Sequence, residues 1–382
     1  MTAPRVAIIG GGPAGAAAAL TLARGGVEVV VVDASRGPAE KIGESLPPSV
    51  RPLLARLELL ELLDAAAHRP SFGNRASWGQ AEAAEEDFMF GLYGAGWHLD
   101  RRRFEAALAK AAEQAGARWL WDHHAVDARH PGGAGGWRLE LEGPESLVEL
   151  DARFILDATG RPARFAVGAG ARRIHLDRLV GLALRFDSAG LGDGEGMDGM
   201  DGFTVVEAIE SGWWYTAPLS GGRAIAVYMS DGDLFDTRSA RTAGGWRALL
   251  DAAPETRARL RPWLERALEP SATIARAGSA YTSPPAGPGW LAIGDAAVAF
   301  DPLSSHGIGS AMTTGYYGAC AAAEVLSGGA DTGALATYAD LVASLFDDYL
   351  DLLHQHYRRE QRWPTSPFWA RRRERLSLDS GR

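Results

Sequence analysis

Residues 5–35, RVAIIGGGPAGAAAALTLARGGVEVVVVDAS, decide the fold class. They have the pattern of a strand, a glycine-rich turn, a helix, a second turn and a second strand. The short apolar run from Val6 to Ile9 is typical of a parallel strand that is covered on both faces. Gly10, Gly12 and Gly15 then match the pattern G-x-G-x-x-G. In it the first glycine permits a tight turn, the second lets the backbone approach a pyrophosphate, and the third lets the helix pack on the strand.

The parts that follow the turn indicate what it binds. The helix that begins with Pro13 and Ala14 offers free backbone N–H groups and a partial positive charge to phosphates. The second strand, residues 28–32, ends in Asp33, whose carboxylate is placed to hydrogen-bond a ribose hydroxyl. We therefore predict dinucleotide binding. The motif alone leaves FAD and NAD open, so later segments must decide between them.

Composition narrows the class of protein. Of the 382 residues 46% are hydrophobic, enough to bury a large core, and the formal net charge of −9 argues against nucleic acid as the main partner. Cys320 is the single cysteine, which excludes an internal disulfide and a Cys-x-x-Cys centre. We predict no metal site, no membrane span and no leader segment. We expect a soluble, cytoplasmic protein.

Three later segments bear on the cofactor. Residues 97–117, WHLDRRRFEAALAKAAEQAGA, have the pattern of an amphipathic helix. Residues 137–161, WRLELEGPESLVELDARFILDATGR, predict a β-meander that leads into a final strand at 154–157. Residues 289–312, GWLAIGDAAVAFDPLSSHGIGSAM, predict a strand, a loop and a further helix that begins at Gly307.

With these motifs in order, nearly the whole chain resembles the FAD-dependent aromatic hydroxylases (group A flavin monooxygenases), and within them the tryptophan-halogenase-like branch. The resemblance implies FAD and an α/β fold: a Rossmann-like FAD-binding domain like that of para-hydroxybenzoate hydroxylase, an antiparallel-sheet substrate domain and C-terminal helices. The implied boundaries are 1–72 with 97–176 and 275–325 for the FAD-binding domain, 73–96 with 177–274 for the substrate domain, and 326–382 for the helical segment.

The resemblance also implies a set of cofactor contacts. Arg101 would approach the pyrophosphate, Asp295 would meet the ribityl or ribose region, and the helix from Gly307 would direct its N–H groups at the pyrimidine edge of the flavin. The full set of implied FAD-binding residues is Gly10, Gly12, Pro13, Ala14, Gly15, Asp33, Lys41, Glu44, Ser45, Arg101, Asp157, Gly160, Gly294, Asp295, Gly307 and Ile308.

Residues 41–54, KIGESLPPSVRPLL, resemble the strap that runs beside the flavin in the halogenase branch. Consecutive prolines would keep it in one shape, with Glu44 and Ser45 at the flavin. A second interpretation of Ser45 stays open: it caps a helix that has Pro47 and Pro48 in its first turn.

Two departures from the halogenases favour oxygen transfer over halogenation. The halogenases relay their oxidant through a lysine that follows the strap, but Lys41 and Lys110 are the only lysines, and residues 72–80, FGNRASWGQ, contain Arg75 as their only cation. Arginine is not readily deprotonated and cannot replace that lysine. The halogenase signature W-x-W-x-I-P is also altered, to GWWYTAPL.

The chain better resembles flavoproteins that hydroxylate tryptophan in the maturation of quinone-cofactor amine and amino-acid oxidases. In reactions of this family a flavin hydroperoxide transfers oxygen from O₂ to the ring. The substrate would be an aromatic small molecule or a tryptophan-containing protein or peptide. The electrons would come from NAD(P)H directly or through a separate flavin reductase. A halogenase and a prenyl-chain reductase remain the alternatives.

The substrate side is predicted from residues 178–231, which alternate apolar and polar positions around glycine turns, as an antiparallel sheet does. His98 and His306 are the candidate acid–base groups, with a structural hydrogen bond as the alternative role of each. Asp301 either orients one of them or caps the turn with Pro302. Each aromatic candidate for the pocket wall has ordinary core packing as its alternative. The aromatic candidates are Trp78, Trp97, Trp213, Trp214, Tyr215 and Tyr228.

Overall fold

The computed structural model describes residues 5–64, 68–80, 82–130, 136–188, 200–266, 269–328 and 333–374. Its strands are β1 Val6–Ile9, β2 Val29–Asp33, β3 Ser45–Leu46, β4 Arg69–Ser71, β5 Gly73–Ser77, β6 Ala84–Asp87, β7 Gly96–His98, β8 Arg118–Trp121, β9 His124–Arg129, β10 Trp137–Glu142, β11 Leu147–Ala152, β12 Phe154–Asp157, β13 Arg172–His175, β14 Leu179–Phe186, β15 Phe203–Ile209, β16 Gly212–Leu219, β17 Arg223–Asp231, β18 Ser271–Arg276, β19 Ala280–Ser283, β20 Ala286–Gly287, β21 Trp290–Ala292 and β22 Val298–Ala299. Its helices are α1 Pro13–Arg24, α2 Arg51–Arg56, α3 Leu60–Asp64, α4 Arg101–Gln114, α5 Arg164–Gly168, α6 Ala243–Asp251, α7 Pro254–Arg259, α8 Arg261–Leu264, α9 Gly307–Gly328, α10 Ala334–Arg359 and α11 Pro367–Arg373.

The first sheet has six strands in the order β20-β21-β12-β1-β2-β8, and all neighbours but β20 and β21 run parallel. Its central strands are apolar and buried because helices cover both faces. Helices α1 and α9 pack closely through small residues: a Cβ at Gly315 would lie 2.3 Å from the carbonyl oxygen of Ala14. This close packing holds the N-termini of both helices at the carboxyl ends of the strands, where ligands bind in such sheets.

The second large sheet has seven strands in the order β18-β14-β17-β16-β15-β5-β6. The predicted hairpins are present between β15 and β16 and between β16 and β17. The sheet is mixed and not antiparallel throughout, because β5 pairs parallel with β15. Alternate residues of these strands face opposite sides, so one face looks toward the first sheet while the other packs on α6, α7 and α8.

The C-terminal helices contact both large sheets. Tyr338 of α10 donates its hydroxyl to the carbonyl of Ala292 at 2.6 Å, and Trp369 of α11 donates its indole N–H to Ile209 at 2.9 Å. Together these contacts tie the two sheets to each other. Residues 375–382 of the predicted C-terminal segment lie outside the described residues, and the domain boundaries stay a prediction. Across the described ranges, no helix combines the length and apolar character needed to cross a bilayer.

Candidate active site

A cavity of about 1120 Å³ lies between the two large sheets. One wall is formed by the turn after β1, the turn after β12, the strap and the start of α9. The opposite wall is formed by β14 to β18 of the seven-stranded sheet. We call these the nucleotide wall and the substrate wall.

The three motif glycines have different local surroundings. Gly10 has φ +110°, and a Cβ there would lie 2.2 Å from the carbonyl oxygen of Ala158. A Cβ at Gly15 would lie 2.0 Å from the carbonyl oxygen of Gly10. A Cβ at Gly12 would meet nothing within 4 Å, since it would point into the cavity. The first and third glycines are therefore needed by the fold, and the second leaves room for a ligand.

The turn presents N–H groups to that space. Helix α1 has Pro13 at its first position and no acidic residue in its first turn, so nothing opposes the positive end of the helix. Asp33 at the end of β2 binds the middle of this turn. Its Oδ2 accepts from the N–H of Gly11 at 2.6 Å, and its Oδ1 accepts from the N–H and hydroxyl of Ser35. Asp33 lines the cavity, as Ala14 does.

The second predicted contact motif is divided between the cavity and the core. Gly160 lines the cavity with φ +74°, but Asp157 is buried beneath it and does not reach the cavity surface. The carboxylate of Asp157 accepts from the N–H groups of Thr159 and Ala166, at 2.9 and 2.8 Å. Burial raises the pKa of Asp157. Asp157 thus shapes the turn that presents Gly160.

The loop before α9 completes the nucleotide wall. Asp295 lines the cavity 3.5 Å from the guanidinium of Arg161, and Gly307 and Ile308 line it at the start of α9. Gly294 lies behind them, with its N–H donated to the hydroxyl of Thr314.

The strap crosses between the two walls, and Arg101 holds it. The guanidinium of Arg101 donates to the carbonyls of Ile42 and Gly43, both at 2.8 Å, and to Glu105 at 2.5 Å. Lys41 also binds Glu105 at 2.5 Å. The Nε of Arg101 is buried without a partner in the described residues. These cations therefore lie at the edge of the nucleotide wall, where phosphate charge is expected.

Ser45 does not cap a helix. It lies in β3, pairs with His98 of β7, and its hydroxyl lies 3.0 Å from that of Thr204 on the substrate wall. The helical turn that follows begins after Pro47 and has no side-chain cap. Ser45 thus joins the strap to the substrate wall.

Glu44 is a buried carboxyl group that lines the cavity. Its Oε2 accepts from the N–H of Gly43 at 3.0 Å and from the hydroxyl of Tyr215 at 3.4 Å. Its Oε1 has no hydrogen-bond partner among the described residues, and the nearest cation is Arg185 at 3.6 Å. Burial raises the pKa of Glu44, although Arg185 and Arg101 lower it in part. The site therefore contains a carboxyl group that can exchange a proton.

Trp213 and Tyr215 are the large aromatic residues of the substrate wall, and both line the cavity among small apolar side chains. The indole N–H of Trp213 donates to the hydroxyl of Tyr357 at 3.1 Å, and that hydroxyl donates to Asp301 Oδ2 at 2.7 Å. Burial, together with the charge of Asp177, raises the pKa of Asp301 to about 6. Residues from three distant segments thus form one buried network.

Several predicted site residues lie elsewhere. Trp78 donates its indole N–H to the carbonyl of His356 and packs among the aromatics of the C-terminal helices. Trp97 is buried under the guanidinium of Arg51. Trp214 and Tyr228 belong to the core on the other face of the sheet.

The two histidines do not meet Asp301. His98 is fully buried, its ring contacts the carbonyl of Gly202, and burial lowers its pKa to about 4. It is therefore neutral at ordinary pH and does not line the cavity. His306 is exposed beside the cavity, and its side chain does not line it. Glu44 and Asp301, which do line the cavity, are the candidate acid–base groups in their place.

Sequence reasoning missed Arg185 and Tyr357. Arg185 alternates with Gly181 and Ala183 along β14, so the period of two could have placed it on the cavity face. Tyr357 has no such signal, because it is brought to Asp301 only by the packing of α10.

Comparisons with known proteins agree with this architecture. A family model described as tryptophan halogenase matches residues 5–96 and 92–380. LodB of Marinomonas mediterranea, named as an FAD-dependent oxidoreductase, is 27% identical over 96% of this chain and 95% of its own length. The tryptophan 2-halogenase of Chondromyces crocatus is 27% identical over 86% of this chain, but the match spans only 62% of the halogenase. The solved structure of the peptidyl tryptophan dihydroxylase QhpG, at 23% identity, covers 99% of this chain and 80% of its own with a TM-score of 0.77.

Proposed function

Because the chain belongs to the tryptophan halogenase family, we propose that this enzyme is an FAD-dependent monooxygenase that hydroxylates an indole-type aromatic substrate. The ring can belong to free tryptophan or to a tryptophan side chain of a partner protein. The match to LodB over nearly the full length of both chains supports a subgroup apart from the longer halogenases.

The main support for hydroxylation over halogenation is which cationic side chains line the cavity and where they lie. In the part of the chain that the structure describes, Lys41 is the only lysine on the cavity surface, and Glu105 holds it at the nucleotide wall. Arg75, at the position expected for a relay lysine, binds Glu85 and Asp201 outside the cavity. A halogenase would need an amine beside the substrate. The substrate wall instead presents the guanidinium of Arg185, which cannot take the place of that amine.

The residues of the nucleotide wall fit FAD. The open space at Gly12, the unopposed N-termini of α1 and α9, and the cations of the strap suit a pyrophosphate and an electron-rich ring. FAD bound there would supply the reduced flavin chemistry that activates O₂, with electrons from NAD(P)H or a separate flavin reductase. Gly12, Arg101 and Gly307 would hold it.

Side chains of the substrate wall, together with Glu44 of the strap, would hold the substrate and move its proton. Trp213 and Tyr215 stack against the indole and keep it in a dry pocket. Hydroxylation replaces a ring hydrogen, and the ring proton must leave. Glu44 Oε1, which has no hydrogen-bond partner of its own, accepts that proton, and Arg185 stabilises the carboxylate between turnovers. Tyr215 holds the other carboxylate oxygen in place.

The test bypasses the unknown electron donor. FAD-loaded enzyme is reduced by light without air, mixed with free tryptophan or a tryptophan-containing peptide plus bromide, and exposed to O₂. We expect products heavier by one oxygen or more, measured by mass spectrometry. A brominated product would overturn the proposal in favour of a halogenase.

Glu44→Gln sharpens the test. It should slow oxygen incorporation by about a hundredfold while flavin reduction is unchanged, because general base catalysis contributes on the order of 10² to 10⁴. Glu40→Gln is the matched control, since Glu40 also pairs with Arg185 but is half exposed. Equal losses in both variants would contradict the role of Glu44.

A further inference from the structure

An exposed apolar segment follows the last strand of the seven-stranded sheet. Phe90 and Leu92 are 91% and 94% exposed, and Met89, Tyr93 and Phe72 beside them are exposed as well. We call Phe72 and residues 88–93 the apolar tip. Large apolar side chains seldom lie together in solvent unless they meet another molecule.

Backbone hydrogen bonds hold the tip in shape. The N–H of Phe88 donates to the carbonyl of Phe72 at 2.7 Å, and the N–H of Phe72 donates to Gly202 at 2.8 Å. The carboxylate of Asp87 accepts from the N–H of Met89 at 2.8 Å. The most exposed side chains take no part in these bonds. The tip is therefore a loop of defined conformation, and its apolar side chains point into solvent.

The strand that leads into the tip is an acidic sheet edge. Among the described strands β6 pairs only with β5, so its outer side has unpaired backbone groups. Glu85 and Glu86 are exposed along it, and Glu82 is exposed just before it. Arg75, which lies opposite Glu85 on β5, is already bound by Glu85 and Asp201. The edge therefore attracts a positively charged partner.

This edge is continuous with the substrate wall. Thr204, Asn74 and Glu86 lie side by side on β15, β5 and β6, and they share one face of the sheet. Thr204 lines the cavity. Two strand spacings, about 10 Å, therefore separate the acidic edge from the cavity wall.

We propose that the apolar tip and the β6 edge dock the polypeptide that carries the indole to be hydroxylated. This inference deepens the proposed function and rests on it. The docked segment is extended, with apolar and basic side chains. Its backbone adds to β6 as a further strand, its apolar side chains cover Phe90 and Leu92, and its basic side chains pair with Glu82 and Glu86.

Two other occupants fit less well. A symmetric dimer through β6 would set the acidic residues of one copy against those of the other, and like charges across strands repel. An anionic bilayer would also be repelled by this edge, whereas membrane-binding loops are flanked by cations.

The test uses FAD-loaded enzyme and a labelled synthetic peptide in which lysines alternate with leucines around one tryptophan. Phe90→Ser with Leu92→Ser should weaken peptide binding about tenfold by fluorescence anisotropy, and Glu86→Lys should weaken it further. Leu147→Ser is the matched control, because Leu147 is 62% exposed on the separate β9-β10-β11 sheet. A peptide with glutamates in place of lysines should bind poorly.

The readouts separate this inference from the proposed function. Hydroxylation of free tryptophan should be equal in all variants. Failure to hydroxylate both free tryptophan and the tryptophan of the peptide, in every variant, would reject the proposed function. Binding that is undetectable, unchanged by the tip substitutions, or equal for the acidic peptide would overturn the docking surface. Two further results would overturn the docking surface. One is a dimer of the enzyme that the tip substitutions abolish, and the other is binding to anionic vesicles that the same substitutions abolish.

Discussion

The two walls of the cavity are built in different ways. The nucleotide wall is made chiefly of backbone: glycine turns, helix N-termini and a strap held through its carbonyls by Arg101. The substrate wall is made of side chains from β14 to β18, supported by Tyr357 of α10. Backbone contacts need a few glycines at fixed spacing, whereas side-chain contacts depend on the whole fold.

The largest effect should separate the glycines of the nucleotide wall. Gly15→Ala puts a methyl group 2.0 Å from the carbonyl oxygen of Gly10, and we expect a loss of more than about 3 kcal/mol in the free energy of unfolding. Gly12→Ala meets nothing within 4 Å, so the protein should fold normally but bind FAD at least about tenfold more weakly. Chemical unfolding measures the stability of both variants. Flavin absorbance after gel filtration measures how much FAD each variant retains.

A Gly12→Ala protein that unfolds as easily as Gly15→Ala would break this comparison. It would mean that the second glycine also serves the fold and does not merely leave space for the ligand.

The next largest effect should be the pH dependence of stability that Asp301, the buried carboxyl group before α9, produces. The pKa of Asp301 is raised by burial to about 6 in the folded protein, against an ordinary aspartate pKa of 3.8. Folding therefore favours the protonated form, and this contribution to stability is present below about pH 4 and lost as the pH rises to about 6. At about 1.4 kcal/mol for each pKa unit, it amounts to about 3 kcal/mol.

Asp301→Asn removes the titration. The difference in unfolding free energy between wild type and Asp301→Asn should change by about 2.5 kcal/mol between pH 4 and pH 7, since other groups titrate equally in both. Urea unfolding at a series of pH values checks this. A pH-independent difference would show that Asp301 stays ionised in the folded protein.

The contrast between the walls explains what the sequence could predict. The motif of Gly10, Gly12 and Gly15 lies within one βαβ unit, so local spacing was enough to predict the fold and a dinucleotide site. Alternation along β14 to β17 was also a local signal, and it predicted the hairpins. Both relate residues that are close in the chain.

The substrate wall depended on contacts that no local pattern contains. Trp78 and Trp213 have the same residue type, yet one packs against α11 and the other lines the cavity. His98 was a candidate acid–base group by type, but the pairing of β7 with β3 and β4 buries it. Glu44 was placed at the flavin by resemblance, while its contact with Tyr215 required the folded sheet.

Tyr357→Phe tests how far the substrate wall depends on α10. It leaves the indole N–H of Trp213 and one oxygen of Asp301 without a partner, which should cost about 2 kcal/mol because unpaired buried polar groups are penalised. Tyr316→Phe is the control, since its hydroxyl accepts an exposed hydrogen bond from Arg56 and is not part of the buried network. Thermal or urea unfolding measures both, and equal costs would contradict the network.

The smallest effect should come from placing a lysine where a halogenase would have one. Arg75 is paired with Glu85 and Asp201 at the sheet surface, so Arg75→Lys should change the free energy of unfolding by less than about 1 kcal/mol. It should also give no brominated product, because a side chain at this position faces away from the cavity. Mass spectrometry of the bromide reaction checks this. A brominated product from Arg75→Lys alone would mean that the oxidant reaches the outer side of β5, and that the substrate wall described here is not where the chemistry occurs.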